Sequence, residues 1–282
     1  MDELILHSSS RAILEKKIQD LPHALLLIGK QGVGVGEIAH AVAIRCGSIL
    51  ETIFPKKRQT NGSYDVDMDA GSIIIDDIRS LYIRTRSKFT SPQIVIIDFS
   101  GRPMSHAAQN AFLKLLEEPQ KHIHFILATS NVGDLLPTVL SRAQRIDIQQ
   151  ITHEQSQQLI QSLQISDETK ATRILFIAEG LPSEIKRLAS NESYYEARVK
   201  TVQDARIILG SNTYERLKVI QAYKDKRSAA LQLLDDAIHQ LQLSAVKTVQ
   251  PATLRQLDSF AQAHEKIQAN GNIQLNLAKV LL

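Results

Sequence analysis

Short apolar runs alternate with segments of helical spacing in the first half of the chain, and this alternation restricts the fold more than any other feature. The apolar runs are residues 24–28, 94–97, 124–128 and 145–148. Uninterrupted runs of this length are typical of parallel strands that are covered by helices on both faces. Residues 73–88 and 105–118 have helical spacing, and Pro119 ends the second segment. The pattern predicts a doubly wound α/β domain with a parallel sheet.

The second half of the chain has a different character. Strand signals disappear after residue 149, and helical spacing continues to the end of the sequence. A polar interruption near Asn191 separates two helical stretches. We therefore predict three domains, namely an α/β domain at residues 1–148, a small helical domain at 149–191 and an α-helical domain at 192–282.

The composition excludes several classes of site and location. Cys46 is the only cysteine, so the chain has no internal disulfide and no cysteine-based zinc cluster. No segment approaches the ~20 apolar residues that a membrane-spanning helix needs, and the N-terminus is acidic where a secretory signal carries positive charge. We therefore predict a cytoplasmic protein without membrane contact. The net charge of +3 is too small to indicate nucleic-acid binding by itself.

A glycine-rich turn follows the first predicted strand and precedes a helix, which is the setting of a phosphate-binding P-loop. Gly29 and Gly34 have the P-loop spacing, and Gly32 lies between them. The next two residues of a working loop are a lysine that neutralises phosphate and a serine or threonine that binds magnesium. Here they are Val35 and Gly36. On spacing alone, the glycines fit a tight strand-to-helix turn better than a nucleotide site.

The second apolar run ends in Asp98 followed by Phe99. At the end of such a strand, P-loop ATPases use an aspartate to hold magnesium and a following glutamate to polarise the attacking water. A phenylalanine has no lone pair with which to orient water. We therefore predict a vestigial nucleotide site of Gly29, Gly32, Gly34 and Asp98, with no ATPase activity, no bound ATP and no metal ion.

Three motifs carry a family resemblance. Residues 104–119 closely resemble the clamp-loader pattern A-A-x-N-A-L-L-K-x-L-E-E-P. Residues 125–131 resemble a sensor-1 strand, and residues 136–142 resemble the element L-P-T-I-x-S-R-C, with Ala143 in place of the cysteine. The chain is thus similar to the AAA+ clamp-loader subunits of bacterial DNA polymerase III, and the continuous similarity covers roughly residues 20–150.

The resemblance implies a fold, partners and one catalytic residue. The fold would be an α/β P-loop (AAA+) domain with a parallel sheet, a small helical lid domain and an all-α C-terminal collar domain. Within the family, a degenerate loop points to the delta-prime type, which acts as a stator without hydrolysing ATP. Its partners would be the gamma/tau and delta subunits and, through the complex, the sliding clamp and primer-template DNA. Arg142 would act in trans as an arginine finger on a neighbouring ATP site, the alternative being a surface cation that caps the preceding helix.

The chain departs from the family pattern at two points. The cysteine-rich zinc module of many relatives is missing, because residues 46–69 contain a single cysteine, so we predict no zinc. Ser183 stands where a sensor-2 arginine is expected, and Lys186 or Arg187 would either replace it or be exposed helix charges. Two alternative functions therefore stay open, namely an active gamma/tau-like AAA+ ATPase and an AAA+-derived adaptor outside replication.

Overall fold

The protein divides into two compact units, Met1–Arg187 and Leu188–Leu282. The computed structural model describes residues 4–59, 63–68, 71–100, 104–247 and 250–280, so both ends of the chain and parts of the segment 46–69 lie outside the described residues. The first unit contains, in chain order, α1 (Ser8–Gln19), β1 (Ala24–Gly29), α2 (Val35–Cys46), β2 (Ser48–Ile53), β3 (Lys56–Arg58), β4 (Tyr64–Val66), α3 (Ile75–Arg84), β5 (Gln93–Asp98), α4 (His106–Glu117), β6 (Ile123–Thr129), α5 (Pro137–Leu140), β7 (Gln144–Ile148), α6 (His153–Ser162), α7 (Glu168–Ala178) and most of α8 (Pro182–Ser190).

A five-stranded parallel sheet forms the centre of the first unit, with the order β2-β5-β6-β1-β7. Side chains on its two faces enter two separate cores. Along β1, for example, Leu26 and Ile28 face one core, whereas Leu25 and Leu27 face the other. The predicted α/β class with a parallel sheet is therefore confirmed, and the strand ends at Gly29 and Asp98 lie at the carboxyl edge where α/β proteins build their sites.

Several elements differ from the sequence prediction. Strand β2 was not predicted, because as an edge strand it is half exposed and mixes polar with apolar residues. The helix predicted at residues 73–88 is shorter, since Ile73 forms a β-bridge with Met104 and Thr85 caps the helix end at Arg84. The short antiparallel pair of β3 and β4 was also missed, because three-residue polar strands carry no periodic apolar signal.

Helices α6 and α7 and the part of α8 up to Arg187 belong to the same compact unit as the sheet. We call them the lid helices. Hydrogen bonds tie this segment locally: the Gly180 amide donates to Ser156 Oγ, and the Ile151 amide donates to the Gly180 carbonyl. The division of this unit into domains 1–148 and 149–191 remains a prediction.

The second unit is entirely helical within the described residues, and it contains α9 (Glu192–Gly210), α10 (Thr213–Tyr223), α11 (Arg227–Lys247), α12 (Pro251–Gln268) and α13 (Ile273–Lys279). Asn191, where the sequence indicated a break, is the N-cap of α9 and accepts a hydrogen bond from the Tyr194 amide. Leu233 and Leu234 of α11 are fully buried in a single core, together with Phe260 and Ile267 of α12.

None of the helices in the described ranges is long and apolar enough to cross a membrane. Across the same ranges, no group of three or more histidine, cysteine, aspartate or glutamate side chains is arranged to hold a metal ion.

Candidate functional site

The glycine-rich turn joins β1 to α2 at the carboxyl edge of the sheet. Gly32 and Gly34 have φ angles of +90° and +92°, which residues with a side chain rarely adopt. Gly34 is the N-cap of α2 and has no side-chain cap. The two positive φ angles therefore explain two glycines of the turn without reference to a ligand.

Val35 stands where a working loop has its lysine, and it points into the protein. It is 4% exposed and belongs to the core on one side of the sheet. A Cβ atom added to Gly29 would lie 2.9 Å from Val35 Cγ1 and 2.8 Å from Val33 Cγ1, so both valines pack directly on the end of β1. The position that would carry a cation thus carries a buried methyl group.

Asp98 lies against Gly36, the residue at the position of the magnesium-binding hydroxyl. A Cβ atom on Gly36 would be 2.0 Å from Asp98 Oδ2, which is closer than atoms approach. The other carboxylate oxygen, Oδ1, accepts hydrogen bonds from the Ser100 amide at 3.1 Å and the Ser100 hydroxyl at 2.7 Å. The Asp98 carboxylate therefore fills the space that a side chain at position 36 would need. Its hydrogen bonds with Ser100, just after β5, hold it there.

Phe99 stands where an ATPase has its catalytic glutamate. It is fully buried in the core on the other side of the sheet, and its amide donates to the Ala128 carbonyl at 3.0 Å. This main-chain bond to β6 extends the sheet past Asp98. The residue consequently contributes packing at a point where hydrolysis would need a carboxylate.

An open groove of about 670 Å³ runs beside the first turns of α2. Gly36, His40, Asp98 and Lys186 are among its lining residues, and Lys186 Nζ lies 3.6 Å from Glu37 Oε2. Of the two cations considered for the sensor-2 role, Lys186 is thus the one at the groove.

Ser183 lies directly on the glycine turn. Its amide and that of Glu184 donate to the Gly32 carbonyl at 2.9 and 3.1 Å. The Ser183 hydroxyl is buried against Gly34, where an added Cβ atom would be 2.4 Å from it, and it has no hydrogen-bond partner among the described residues. Sequence comparison aligned Ser183 with the sensor-2 position but gave no sign of this contact.

Arg142 follows the single-turn helix α5, and its side chain is 36% exposed. Nη1 donates to the Thr138 carbonyl at 3.0 Å and to Ser141 Oγ at 3.2 Å, while Nη2 lies 2.9 Å from Glu117 Oε1 at the end of α4. The guanidinium therefore does cap α5, as one of the two interpretations predicted, and it remains accessible from solvent. Glu117 is the contact that sequence reasoning missed.

A buried amide fixes the segment that leads into α5. Gln109 is 2% exposed; its Nε2 donates to the Met104 and Asp134 carbonyls, and its Oε1 accepts from the Leu136 amide at 2.7 Å. Burial raises the pKa of the neighbouring Asp134 carboxyl. The segment that leads into α5 is thus attached to α4 by two hydrogen bonds, through the Asp134 carbonyl and the Leu136 amide.

The structure brings Gly29, Gly32, Gly34 and Asp98 together around the first turn of α2. The contacts of Arg142 within the described residues are instead with α4 and α5. The predicted residues therefore form two separate features, a packed glycine turn and an accessible arginine.

Comparison with solved structures identifies similar folds. The DNA polymerase III gamma subunit-related protein of Thermotoga maritima msb8 matches with a TM-score of 0.52 and 17% identity, over 96% of this chain and 97% of that one. A solved structure of RuvB from Thermotoga maritima matches with a TM-score of 0.50 and 15% identity, over 87% and 83% of the two chains. At these identities the likeness concerns the fold alone.

Comparison with curated proteins identifies DNA polymerase III subunits. The tau subunit of Bacillus subtilis (strain 168) is 30% identical over 259 residues, which cover 84% of this chain and 45% of that protein. The tau subunit of Escherichia coli (strain K12) is 31% identical over 173 residues, covering 54% and 26%. The chain thus spans less than half the length of these relatives.

Among protein families, the one described as DNA polymerase III, delta subunit, matches residues 9–152. The match contains the glycine turn, Asp98 and Arg142, and it extends over half of the chain. This protein therefore belongs to the DNA polymerase III, delta subunit family of clamp-loader proteins.

Proposed function

We propose that the chain is a non-hydrolysing clamp-loader subunit of the delta-prime type, which supplies Arg142 to the ATP site of a neighbouring subunit. The observation that carries this proposal is the burial of Val35 and Phe99, at the two positions where an ATPase needs a cation and a carboxylate. The contact between Asp98 and Gly36 adds to it, because magnesium and its hydroxyl ligand would need the same space. This loop does not fit a magnesium nucleotide.

Arg142 is suited to act on a partner because its guanidinium is accessible and already ordered. The Thr138 carbonyl and Glu117 hold it, so little side-chain freedom is lost when it meets a phosphate. A planar guanidinium binds phosphate oxygens through two parallel N–H groups, and it stabilises the charge that develops on a transferring phosphoryl group. The neighbour would be a gamma/tau-type ATPase, within a complex that also contains a delta subunit and acts on the sliding clamp and primed DNA.

The test is the ATPase rate of the loader reconstituted with the gamma/tau and delta subunits of the same organism. We expect Arg142→Ala and Arg142→Lys to assemble normally and to lower turnover at the contacted site by tenfold or more, since an arginine finger contributes about 10³-fold or more to phosphoryl transfer. Arg145→Ala is the matched control, because Arg145 lies three residues further on, is half exposed and pairs with Asp147. Unchanged turnover in both Arg142 variants would contradict the finger role.

The names of the relatives favour a second candidate, an active gamma/tau-like ATPase. Equilibrium binding of ATP to the isolated chain separates the two, because the delta-prime proposal expects no saturable binding. Saturable, magnesium-dependent binding would favour the second candidate. Failure to assemble with the other subunits would instead favour an adaptor outside replication.

A further inference from the structure

The start of α8 makes an unusual contact with the glycine turn. The first N–H groups of any helix have no acceptor within that helix, and they are normally satisfied by a capping side chain or by water. Here the amides of Ser183 and Glu184 both donate to one main-chain oxygen, the Gly32 carbonyl. The glycine turn, near the start of the first unit, thus caps a helix that begins near the end of that unit, at Pro182.

Side chains extend this contact on both sides of the two hydrogen bonds. Leu181, just before α8, packs against the core that contains Val33 and Val35. A Cβ atom on Gly32 would lie 3.0 Å from Glu184 Cβ and 3.4 Å from Leu181 Cβ, so turn and helix are in van der Waals contact. One turn further on, Lys186 pairs with Glu37 of α2 at 3.6 Å. The helix is therefore attached to the turn and to the helix that follows the turn.

We infer that the glycine turn acts as an intramolecular latch that holds the lid helices closed without a nucleotide. The Gly32 carbonyl, a group of the chain itself, satisfies the N-terminal amides of α8, and the Ser183 hydroxyl fills the space above Gly34. Magnesium ATP therefore has no effect on the position of α8. The expected lack of response to ATP rests on the proposed loss of nucleotide binding, whereas the contact between the turn and α8 is independent of the role proposed for Arg142.

Amide hydrogen exchange resolved by residue in the full chain tests the latch, and the chain offers an internal control. Helices α8 and α12 both begin with a proline, Pro182 and Pro251, and α12 has no side-chain cap. We expect the Ser183 and Glu184 amides to exchange at least about tenfold more slowly than Ala252 and Thr253, the corresponding amides of α12, and to be unchanged by magnesium ATP. Equal exchange in the two pairs, or a response of Ser183 and Glu184 to ATP, would overturn the latch.

A pair of proline variants tests whether the shared carbonyl holds the helix. Ser183→Pro removes one N–H donor of the latch, whereas Ala252→Pro removes an amide from the uncapped first turn of α12. Neither breaks a bond inside its helix, and a proline precedes both sites, so local strain is matched. We expect Ser183→Pro to accelerate exchange of the Glu184 amide by about tenfold, which corresponds to the loss of roughly one hydrogen bond. Ala252→Pro should leave the exchange rate of the Thr253 amide unchanged. If Glu184 keeps its protection in Ser183→Pro, the latch is refuted, whatever the result for Arg142.

Discussion

Asp236 and Arg198 form a buried ion pair in the helical unit, and removing the aspartate is the most direct test of how that unit is held together. The side chains are 11% and 8% exposed, and two contacts join them: Nη1 to Oδ2 at 2.7 Å and Nη2 to Oδ1 at 3.0 Å. The pair links α9 to α11, two helices of the same core. Asp236→Ala leaves a buried guanidinium without this carboxylate.

The size of the effect follows from burial. Exposed ion pairs contribute about 0–1 kcal/mol, whereas breaking a buried pair from one side costs about 3–5 kcal/mol, because a charge stays behind in a poorly solvated place. With both side chains about nine-tenths buried, we expect the free energy of unfolding to fall by roughly 3 kcal/mol or more. Replacing the whole pair, as Arg198→Met with Asp236→Leu, removes the charge as well and is expected to cost less than about 1 kcal/mol.

Urea unfolding followed by tyrosine fluorescence measures this effect in the right unit. The chain has no tryptophan, and four of its six tyrosines lie in the helical unit: Tyr194, Tyr195, Tyr214 and Tyr223. Asp258→Ala is the control, since Asp258 is an exposed residue of the same unit that accepts a hydrogen bond from Gln262; a change below about 0.5 kcal/mol is expected there. A loss below about 1 kcal/mol in Asp236→Ala, or a double variant no more stable than the single one, would refute the reasoning.

Two further predictions concern the glycine turn and one titrating side chain. Gly36→Ala places a Cβ atom 2.0 Å from Asp98 Oδ2, so the free energy of unfolding, measured by thermal unfolding, should fall by about 1–3 kcal/mol. Adding Asp98→Ala should recover part of this loss. A Gly36→Ala variant as stable as the wild type would contradict the packing of this carboxylate. A hydrogen bond to Asp235 at 3.2 Å raises the pKa of His264 despite partial burial. The folded state thus favours the protonated form of His264, so this stabilisation is fully present below the unfolded pKa of about 6.5 and is lost as pH rises through the higher folded pKa. The urea midpoint of the protein should therefore fall as pH rises across this interval. In His264→Asn this pH dependence of the midpoint should be absent.

The sequence predicts the three inner strands of the sheet well because they are buried on both faces. In β5, Ile94 and Ile96 enter one core while Val95 and Ile97 enter the other, so residues 94–97 are all apolar and the run is conspicuous. Edge strand β2 has no such requirement, and its mixed composition conceals it. The end of α3 was misplaced for a related reason, since a hydroxyl cap at Thr85 interrupts a segment whose spacing still looks helical.

The candidate site is only partly predictable from sequence because its contacts join distant segments. The substitutions Val35, Gly36 and Phe99 can be read directly, and they indicate what the loop lacks. The side chains that fill the loop instead cannot be predicted from the sequence. The contacts of Asp98 with Gly36 and of Ser183 with Gly34 join residues that are far apart in the chain, so they depend on the tertiary packing of strand and helix ends. The pairing of Arg142 with Glu117 is hidden for the same reason.

The glycines of the turn can be explained without any phosphate. Gly32 and Gly34 need positive φ angles, Gly29 leaves room for two valine side chains, and Gly36 leaves room for the Asp98 carboxylate. Each requirement comes from backbone conformation or from packing, so a glycine pattern of this kind is evidence for the shape of the turn rather than for ATP. The residues that distinguish a nucleotide site are the lysine, the hydroxyl and the glutamate, and here Val35, Gly36 and Phe99 occupy their places. A turn without these groups is free to bind another part of the chain, which is the role that we assign to it beneath α8.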